Sequence, residues 1–347
     1  MLNSPLQTLS GIGQNLLYKL KVPAQVERMR QITGETPLFL QIETINICNA
    51  SCIFCAYPGM TRKKGVMSLQ LFEKIARDYA EMGGGSVNLT PVMGDALLDP
   101  HILERLQILK KYPAIKQITL TTNGIALKKY SDREIRRLLE DLSCIQLSIG
   151  GLDPATYNTM YNVDRFSQVK QGMERLLHLR DHVQSPADIS FAFRTNDRNF
   201  ETKFKPQLDK YREKGVKISH MSIFANFSGA IKEDEEKGLA VYPSRGKKRS
   251  RCIYPCMNMV VCWDGNITAC CDDFNGEELM IGHAEKETLA EVWSGKKRIA
   301  LLDSFGKGTL LPICRNCSGY LPDTVFANSC FKNFQPHQAL PRDFFLF

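Results

Sequence analysis

The feature that most limits the fold of this chain is a sixfold alternation of short apolar segments with longer helical segments between residues 37 and about 225. Repeats of this kind imply parallel strands that are joined by right-handed crossovers. The strand candidates are residues 38–45, 87–90, 118–122, 145–149, 189–194 and 216–224. Six such units suit either an open doubly wound sheet or an incomplete barrel, and periodicity does not choose between them.

Three of the intervening helices have recognisable start signals. Asp99 and Asp153 each precede a proline, which favours the first turn of a helix. Ser131 has Glu134 three residues later, the spacing of a capping box. These signals support an α/β assignment for this part of the chain.

The remaining segments differ in composition. We expect a helical lead-in at residues 1–36, which packs on the body or serves as a membrane-surface or partner helix, and a tail at residues 331–347. Residues 37–230 form the strand-helix domain, and residues 231–251 are a charged linker or exposed loop. Five of the seven residues from 245 to 251 are basic, which indicates a solvated surface or a contact for an anionic substrate or acidic peptide. Residues 252–330 form a second module that holds eight of the twelve cysteines.

Composition supports a globular, intracellular protein. Hydrophobic residues make up 43% and charged residues 24% of the 347 residues, as in soluble proteins of about two domains. No apolar run approaches the ~20 residues of a transmembrane helix, and the N-terminus lacks a signal-peptide layout. We therefore expect a cytoplasmic location. Because disulfides rarely persist there, the cysteines point to metal binding.

Cys48, Cys52 and Cys55 lie in the sequence CNASCIFC, directly after the first predicted strand. Three thiolates on one loop can surround a metal centre, but a closed site uses four ligands. A [4Fe-4S] cluster with three cysteine ligands would leave one iron free for a small molecule. A zinc site with a distant fourth ligand and a chance group of buried thiols remain alternatives.

The Cx3CxΦC pattern, with Phe54 before the last cysteine, resembles that of the radical S-adenosylmethionine (SAM) enzymes. The resemblance covers residues 37–225 and implies a partial (β/α)6 TIM-like barrel. Met93, Gly94 and Asp95 stand where this family often has Gly-Gly-Glu, which holds the SAM amino group. Methionine at the first of these positions resists backbone geometry that glycine permits.

The same resemblance implies further SAM contacts at the carboxyl ends of the strands. Ser148 and Arg194 match polar positions that contact the ribose or the carboxylate of SAM, and an arginine fork suits a carboxylate. Asn123 belongs to the same rim, and Phe54 and Tyr57 of the cysteine loop complete the implied cofactor contacts. Each position also has a structural alternative, such as a turn at Asn123 or a helix cap at Ser148.

The second cysteine set has a regular spacing too. Cys252 and Cys270 form Cx12Gx4C around a predicted Asp-Gly hairpin, and Cys314 and Cys317 form CxxC. Four thiolates would complete either a zinc site or an iron-sulfur cluster. The module resembles the SPASM/twitch extensions of radical SAM enzymes. The resemblance implies one auxiliary [4Fe-4S] cluster on these four cysteines, in a layout similar to that of aminocyclitol dehydrogenases. Asp323 and Ala327 occupy two positions where a full SPASM run has cysteines.

Five cysteines fall outside both sets: Cys144, Cys256, Cys262, Cys271 and Cys330. Each fits the role of a small buried hydrophobe. Cys256, Cys262 and Cys271 are candidate hydrogen donors or alternatives to one of the proposed ligands, and Cys330 is a candidate cluster cap.

The resemblance implies a chemistry. An open iron binds SAM, and one electron cleaves it to methionine and a 5'-deoxyadenosyl radical that abstracts a substrate hydrogen. An auxiliary cluster that accepts the next electron gives an oxidation, whereas a cysteine that returns hydrogen gives an epimerisation. A reducing protein such as flavodoxin or ferredoxin is the implied partner.

The substrate is open between two classes. Only the 36 residues of the lead-in precede the strand-helix domain, fewer than a leader-binding domain needs at ordinary domain sizes. We therefore expect an oxidoreductase acting on a sugar, an aminocyclitol or a similar polar metabolite, with a ribosomal-peptide epimerase or cross-linking enzyme as the alternative. A zinc-stabilised nucleic-acid-binding protein is disfavoured, because no aromatic residues are interleaved with the basic run.

Overall fold

A nine-stranded, mostly parallel sheet forms the centre of the molecule. The computed structural model describes residues 11–244, 248, 250–327, 331, 334–335, 337 and 339–340. For residues 11–22 it describes only the backbone. The strands are β1 (Phe39–Ile42), β2 (Gly85–Asn88), β3 (Ile115–Thr122), β4 (Cys144–Ile149), β5 (Asp188–Arg194), β6 (Lys217–Met221), β7 (Ile223–Phe224), β8 (Ala240–Val241), β9 (Asn258–Val261), β10 (Asn266–Thr268) and β11 (Met280–His283).

Helices precede, connect and follow these strands, and several of them share the main apolar core with one face of the sheet. They are α1 (Gly11–Glu35), α2 (Leu69–Glu81), α3 (Ile102–Lys110), α4 (Asp132–Asp141), α5 (Pro154–Tyr161), α6 (Phe166–Val183), α7 (Phe200–Lys203), α8 (Lys205–Glu213), α9 (Ile253–Met257), α10 (Leu289–Trp293), α11 (Lys296–Lys307) and α12 (Pro312–Asn316). Short 3-10 helices occur at Tyr57–Gly59, Ala96–Leu98, Ile125–Lys129, Phe227–Gly229 and Asp323–Ala327.

The order of strands in the main sheet is β11-β10-β9-β1-β2-β3-β4-β5-β6. Neighbouring strands from β1 to β6 are parallel, as the alternation predicts. This is the strand order of a partial TIM barrel, which confirms the fold predicted from the sequence. The carboxyl ends of the strands lie at one rim, where such folds place their ligands.

The two faces of the sheet differ in polarity. Leu40, Val87, Leu120 and Leu147 are on the helix-covered face and belong to the main apolar core. Residues one position away in each strand point to the opposite face, which carries many polar side chains beside apolar ones such as Phe39 and Val260. Its buried polar members are Gln41, Ser86, Gln117, Thr119, Gln146, Ser190 and Asn258.

Several local predictions are confirmed. Ser131 and Glu134 form the predicted capping box at the start of α4, and Asp153 caps α5 ahead of Pro154. The helix after Asp99 begins later than expected, at Ile102, because Asp99 ends a 3-10 helix and binds Arg105 in a buried ion pair of 2.6 Å.

The predicted strand 216–224 is two strands in the structure. β6 pairs with β5, whereas β7 leaves the main sheet and pairs with β8. An apolar run that changes sheets has the same periodicity as one long strand, so sequence alone does not reveal the break. β8 lies within the predicted linker 231–251, which is therefore not a simple exposed loop.

The lead-in is one continuous helix, α1, from Gly11 through Pro23 to Glu35. Its described part buries Val26, Met29 and Ile32 in a second, smaller apolar cluster. Leu6 and Leu9 of the predicted pattern lie outside the described residues. No helix in the described part of the chain is long and apolar enough to cross a membrane.

The cysteine-rich module continues the barrel sheet. β9 pairs in parallel with β1, and β10 and β11 follow in antiparallel order. The predicted hairpin turn joins β9 to β10, and its Gly265 has a φ of 88°. The module and the barrel therefore share one hydrogen-bonded sheet.

Candidate active site

The three-cysteine loop begins at the carboxyl end of β1 and rests on the end of α5. The backbone N–H groups of Ser51 and Ile53 donate to the carbonyl oxygens of Tyr161 and Met160 at 3.2 and 3.0 Å. These carbonyls are at the end of a helix, where they have no partner within the helix. The loop conformation is thus set by α5.

Tyr57 supports the same loop at two points. Its phenol oxygen accepts a hydrogen bond from the backbone N–H of Cys48 at 3.0 Å. Its own backbone N–H donates to Sγ of Cys55 at 3.4 Å. Hydrogen bonds to the sulfurs of an iron-sulfur cluster influence its reduction potential. The bond from Tyr57 to Cys55 would therefore affect the potential of a cluster that this cysteine binds.

The three thiols lie close enough to affect each other's ionisation. Burial raises the pKa of Cys48 to about 12, and burial together with the neighbouring Cys55 and Cys48 raises the pKa of Cys52 well above its usual value. Burial also raises the pKa of Cys55. A metal centre binds thiolates, so its binding at this loop would release the thiol protons.

The Met93-Gly94-Asp95 segment packs directly on the backbone of the cysteine loop. Gly94 has a φ of 125°, and a Cβ there would lie 2.8 Å from the carbonyl oxygen of Ile45. Met93 is not among the residues with positive φ, which explains why methionine fits where the family often has glycine. Its Sδ lies 3.9 Å from Sγ of Cys55.

Asp95 is fully engaged within the protein. Its carboxylate accepts hydrogen bonds from Thr122 Oγ1 at 2.8 Å, from the backbone N–H of Asn123 at 2.7 Å and from that of Leu97 at 3.0 Å. These bonds join the second and third strand ends of the rim. They indicate a positioning role, and a contact between Asp95 and the SAM amino group stays a prediction.

Asn123 connects the third strand to the cysteine loop. Its Nδ2 donates to Asn49 Oδ1 at 2.8 Å and lies 3.8 Å from Sγ of Cys48. Its Oδ1 accepts from the backbone N–H of Ile125, so the structural alternative, a turn at this position, is present as well.

Ser148 and Arg194 lie at the ends of neighbouring strands. Ser148 accepts a hydrogen bond from the buried phenol of Tyr161 at 2.8 Å. Arg194 Nη1 lies 2.9 Å from Sδ of Met221, and none of the ion pairs in the described part of the chain includes Arg194. Burial lowers its pKa. A guanidinium without a carboxylate partner is suited to an anionic ligand.

Phe54 lies between two aromatic side chains. It stacks on Phe224 of β7 with a centroid distance of 4.8 Å and meets Tyr161 edge-on at 5.6 Å. The end of the predicted sixth strand is therefore in contact with the cysteine loop.

The second cysteine set surrounds one cavity. Its empty volume is about 410 Å³, and all four predicted ligands line it. Those residues are Cys252, Cys270, Cys314 and Cys317. Burial raises the pKa of Cys252 to about 11 and that of Cys314 to about 12.

The cavity has a carboxylate that sequence reasoning missed. Asp272 lines it, and Oδ2 of Asp272 accepts a hydrogen bond from the Cys317 thiol at 2.8 Å. Burial raises the pKa of Asp272. The only sequence signal for this role of Asp272 is its position two residues after the predicted ligand Cys270.

The candidate hydrogen donors lie apart from the cavity lining. Cys256 packs in the smaller apolar cluster, and Cys262 is buried at the end of β9. Cys271 is half-buried beside Cys270 but does not line the cavity. Hydrogen donation by any of them stays a prediction, and Cys330 lies outside the described residues.

A buried ion pair connects the two thiol regions. Arg62 donates from Nη1 and Nη2 to the carboxylate oxygens of Glu43 at 2.7 and 2.9 Å. Its Nε donates to the carbonyl oxygen of Phe274 at 2.8 Å. Glu43 also accepts from the backbone N–H of Met93 at 3.0 Å. No sequence pattern predicts this connection between the first loop and the cysteine-rich module.

Both thiol sets fit iron-sulfur clusters. No three histidine, cysteine or carboxylate side chains converge on a single ion among the described residues. A four-iron cluster takes one thiolate per iron, so its ligands surround a volume. The four cysteines around the cavity have that arrangement, and the first loop offers three thiols.

Comparisons with known proteins support the same assignment. The model of the radical SAM superfamily matches residues 42–184, and that of SPASM, an iron-sulfur cluster-binding domain, matches residues 252–318.

Curated relatives include the GTP 3',8-cyclases of Petrotoga mobilis and Chlorobaculum tepidum. The first is 31% identical over 149 residues, which are 42% of this chain and 45% of the cyclase. The second is 30% identical over 145 residues, 42% of each chain. The chain therefore spans less than half the length of these cyclases.

Solved structures share the fold at low identity. SuiB of Streptococcus suis bound to precursor peptide SuiA matches with a TM-score of 0.60 at 15% identity. The match covers 99% of this chain and 81% of the SuiB chain. BtrN in complex with AdoMet and 2-DOIA has a TM-score of 0.54 at 15% identity, covering 87% and 97%. The chain is a radical SAM enzyme with a C-terminal SPASM domain, and its cofactors are SAM, a [4Fe-4S] cluster and an auxiliary iron-sulfur cluster.

Proposed function

We propose that this enzyme oxidises a sugar, an aminocyclitol or a similar polar metabolite by two electrons. The observation that carries the proposal is the set of buried polar side chains on one face of the sheet, next to the rim that carries the first cysteine loop. A ligand with hydroxyl or amino groups could form hydrogen bonds with the amides and hydroxyls of this face, which an apolar ligand could not do.

These polar side chains extend across several strands. Asn258 Nδ2 lies 3.4 Å from Gln41 Oε1, and Gln146 Nε2 lies 3.4 Å from Ser190 Oγ. Side-chain amides offer both donors and acceptors, as the hydroxyl groups of a polyol do. These groups support a substrate with several hydroxyl or amino groups.

The residues of the rim have separate tasks in the proposed reaction. Cys48, Cys52 and Cys55 would hold the first cluster, which with SAM supplies a 5'-deoxyadenosyl radical after one-electron reduction. Arg194 would bind the SAM carboxylate, and Asn123 would fix the loop beside Cys48. A closed rim orients one C–H bond and excludes water from the substrate radical.

The proposed reaction removes two electrons and two protons from the substrate. The substrate loses one hydrogen atom to the nucleoside radical, and then one proton to a base and one electron to the auxiliary centre at Cys252, Cys270, Cys314 and Cys317. A hydroxyl-bearing carbon thereby becomes a ketone. A flavodoxin or ferredoxin is the proposed source of the electron that starts the reaction.

Peptide modification is the second candidate. The same fold holds a precursor peptide in SuiB and a peptide in anSMEcpe. With a peptide substrate the enzyme would form a cross-link or, with hydrogen returned from a cysteine, an epimer.

The test is an anaerobic incubation of the purified enzyme with dithionite, SAM and panels of polyols, aminocyclitols and peptides in heavy water. The proposal predicts substrate-dependent 5'-deoxyadenosine and an unlabelled ketone from a polyol or aminocyclitol. A modified peptide, or deuterium at an inverted carbon, would contradict it.

A further inference from the structure

Lys248 is the member of the basic run 245–251 that turns into the protein. It is only 5% exposed, although the sequence pattern predicts a solvated surface. Its ammonium group donates hydrogen bonds to three carbonyl oxygens of the CxxC segment, those of Cys314, Arg315 and Cys317. The bonds to Arg315 and Cys317 measure 3.2 and 2.7 Å.

These three acceptors use all the donors of the lysine ammonium. The carbonyls belong to the end of α12 and the residue that follows it, where helix carbonyls lack partners within the helix. Nζ also lies 5.5 Å from the ring centroid of Tyr320, which lines the four-cysteine cavity. Lys248 therefore fixes the backbone that carries two of the four predicted ligands.

The charge of Lys248 is not neutralised by a carboxylate contact. None of the ion pairs formed by the described residues includes it, and a buried charge without a partner costs several kcal/mol. The groups that would act most on Lys248 when ionised are Cys317, Cys314, Cys252 and Asp272, all of which line the cavity. As thiols, the three cysteines are neutral; bound to iron, they are thiolates.

We propose that Lys248 is a positioning residue of the auxiliary cluster, which holds the CxxC segment in place and offsets the negative charge of the thiolate-bound cluster. A nearby positive charge favours the reduced cluster, because reduction adds one negative charge. Lys248 therefore raises the reduction potential of the centre that receives the substrate electron. The inference rests on the assignment of the four cysteines as ligands.

The test uses full-length protein in which Cys48, Cys52 and Cys55 are replaced by alanine, so that only the auxiliary cluster contributes to the spectrum. In this background Lys248→Met removes the charge, Lys248→Arg keeps it, and Lys232→Met is the matched control at an exposed lysine of the same linker. Iron content, circular dichroism and an electron paramagnetic resonance (EPR) redox titration are measured for each.

We expect Lys248→Met to shift the midpoint potential negative, with the reduced-to-oxidised ratio at fixed potential changed at least tenfold, which is about 59 mV for a one-electron couple. Lys248→Arg and Lys232→Met should stay near the parent. Loss of iron from folded Lys248→Met, but not from Lys248→Arg, would also support the proposal.

Two results would overturn it: an unchanged iron content and potential in Lys248→Met, or equal loss of iron from both Lys248 variants. A parent without iron would instead contradict the ligand assignment. Failure of the positioning role and failure of the proposed ligand set are therefore distinguishable.

Discussion

At the residue scale, Gly94 tests how closely the rim loops must approach. Gly94→Ala adds a Cβ 2.8 Å from the carbonyl oxygen of Ile45, and its φ is already 125°. Gly215→Ala is the matched control, because its φ is 72° but nothing lies within 4 Å of the added Cβ. Both pay for left-handed backbone, about 1–2 kcal/mol.

We expect Gly94→Ala to lower the free energy of unfolding by about 1–3 kcal/mol more than Gly215→Ala, because overpacking adds to the backbone cost. Urea unfolding of the two variants measures the difference. Equal losses would show that the loop can move away from Ile45, against the close packing described above.

The first cysteine set gives a second prediction at this scale. Cys52→Ala should abolish the formation of 5'-deoxyadenosine, because the loop would retain only two ligands. Cys144→Ala, at the start of β4, should leave it near the parent level. Chromatography of the quenched reaction measures the nucleoside, and its formation by Cys52→Ala would contradict the ligand role.

Residue patterns in the sequence predict which cysteines act together, but they do not predict the other side chains that surround those cysteines. The spacing of Cys48, Cys52 and Cys55 is local, so it can be read directly. Lys248 is one of five basic residues in seven, and nothing in that run distinguishes the buried lysine from its neighbours. Asp95 binds Thr122 across the rim, a contact that depends on the pairing of distant strands.

Among contacts between elements, Arg62 pairs with Glu43, the residue after β1, and also donates to the carbonyl oxygen of Phe274 in the cysteine-rich module. The side chains of Glu43 and Arg62 are 0% and 7% exposed. Arg62→Gln would leave the carboxylate buried without its partner, and we expect a loss of about 3–5 kcal/mol in the free energy of unfolding. Urea denaturation measures this loss.

The matched control for this prediction is Arg212→Gln, which breaks the exposed pair with Glu201 and should cost at most about 1 kcal/mol. The double variant Glu43→Gln with Arg62→Gln should recover part of the loss, since no unpaired charge remains. A loss in Arg62→Gln no larger than in the control would mean that the pair does not stabilise the fold.

Elements with local signals were predictable. The capping box at Ser131 and the turn at Gly265 depend on residues within a few positions. The division of 216–224 into β6 and β7 depends on β8, which lies some twenty residues further along. Its physical cause is a change of pairing partner, which periodicity does not record.

At the scale of the whole molecule, the barrel and the SPASM domain share one sheet through the β1–β9 pair. The sequence patterns predict both domains, but they do not indicate that one sheet runs through both. Strand pairing between residues more than 200 positions apart leaves no local pattern, so the joined sheet could not be inferred.

The two centres should nevertheless bind iron independently. We expect anaerobically prepared enzyme to contain about eight irons per chain, four in each cluster. Replacement of Cys252, Cys270, Cys314 or Cys317 by alanine should each reduce this to about four and preserve the first cluster. Iron analysis measures the content, and the same loss in Cys271→Ala would contradict the assignment of Cys270.

The proposed reaction depends on an open iron of the first cluster that binds SAM. The direct measurement is the EPR spectrum of the dithionite-reduced Cys252→Ala variant with and without SAM, since the remaining signal then comes from the first cluster. We expect SAM to change the spectrum. A spectrum that is identical with and without SAM would contradict it.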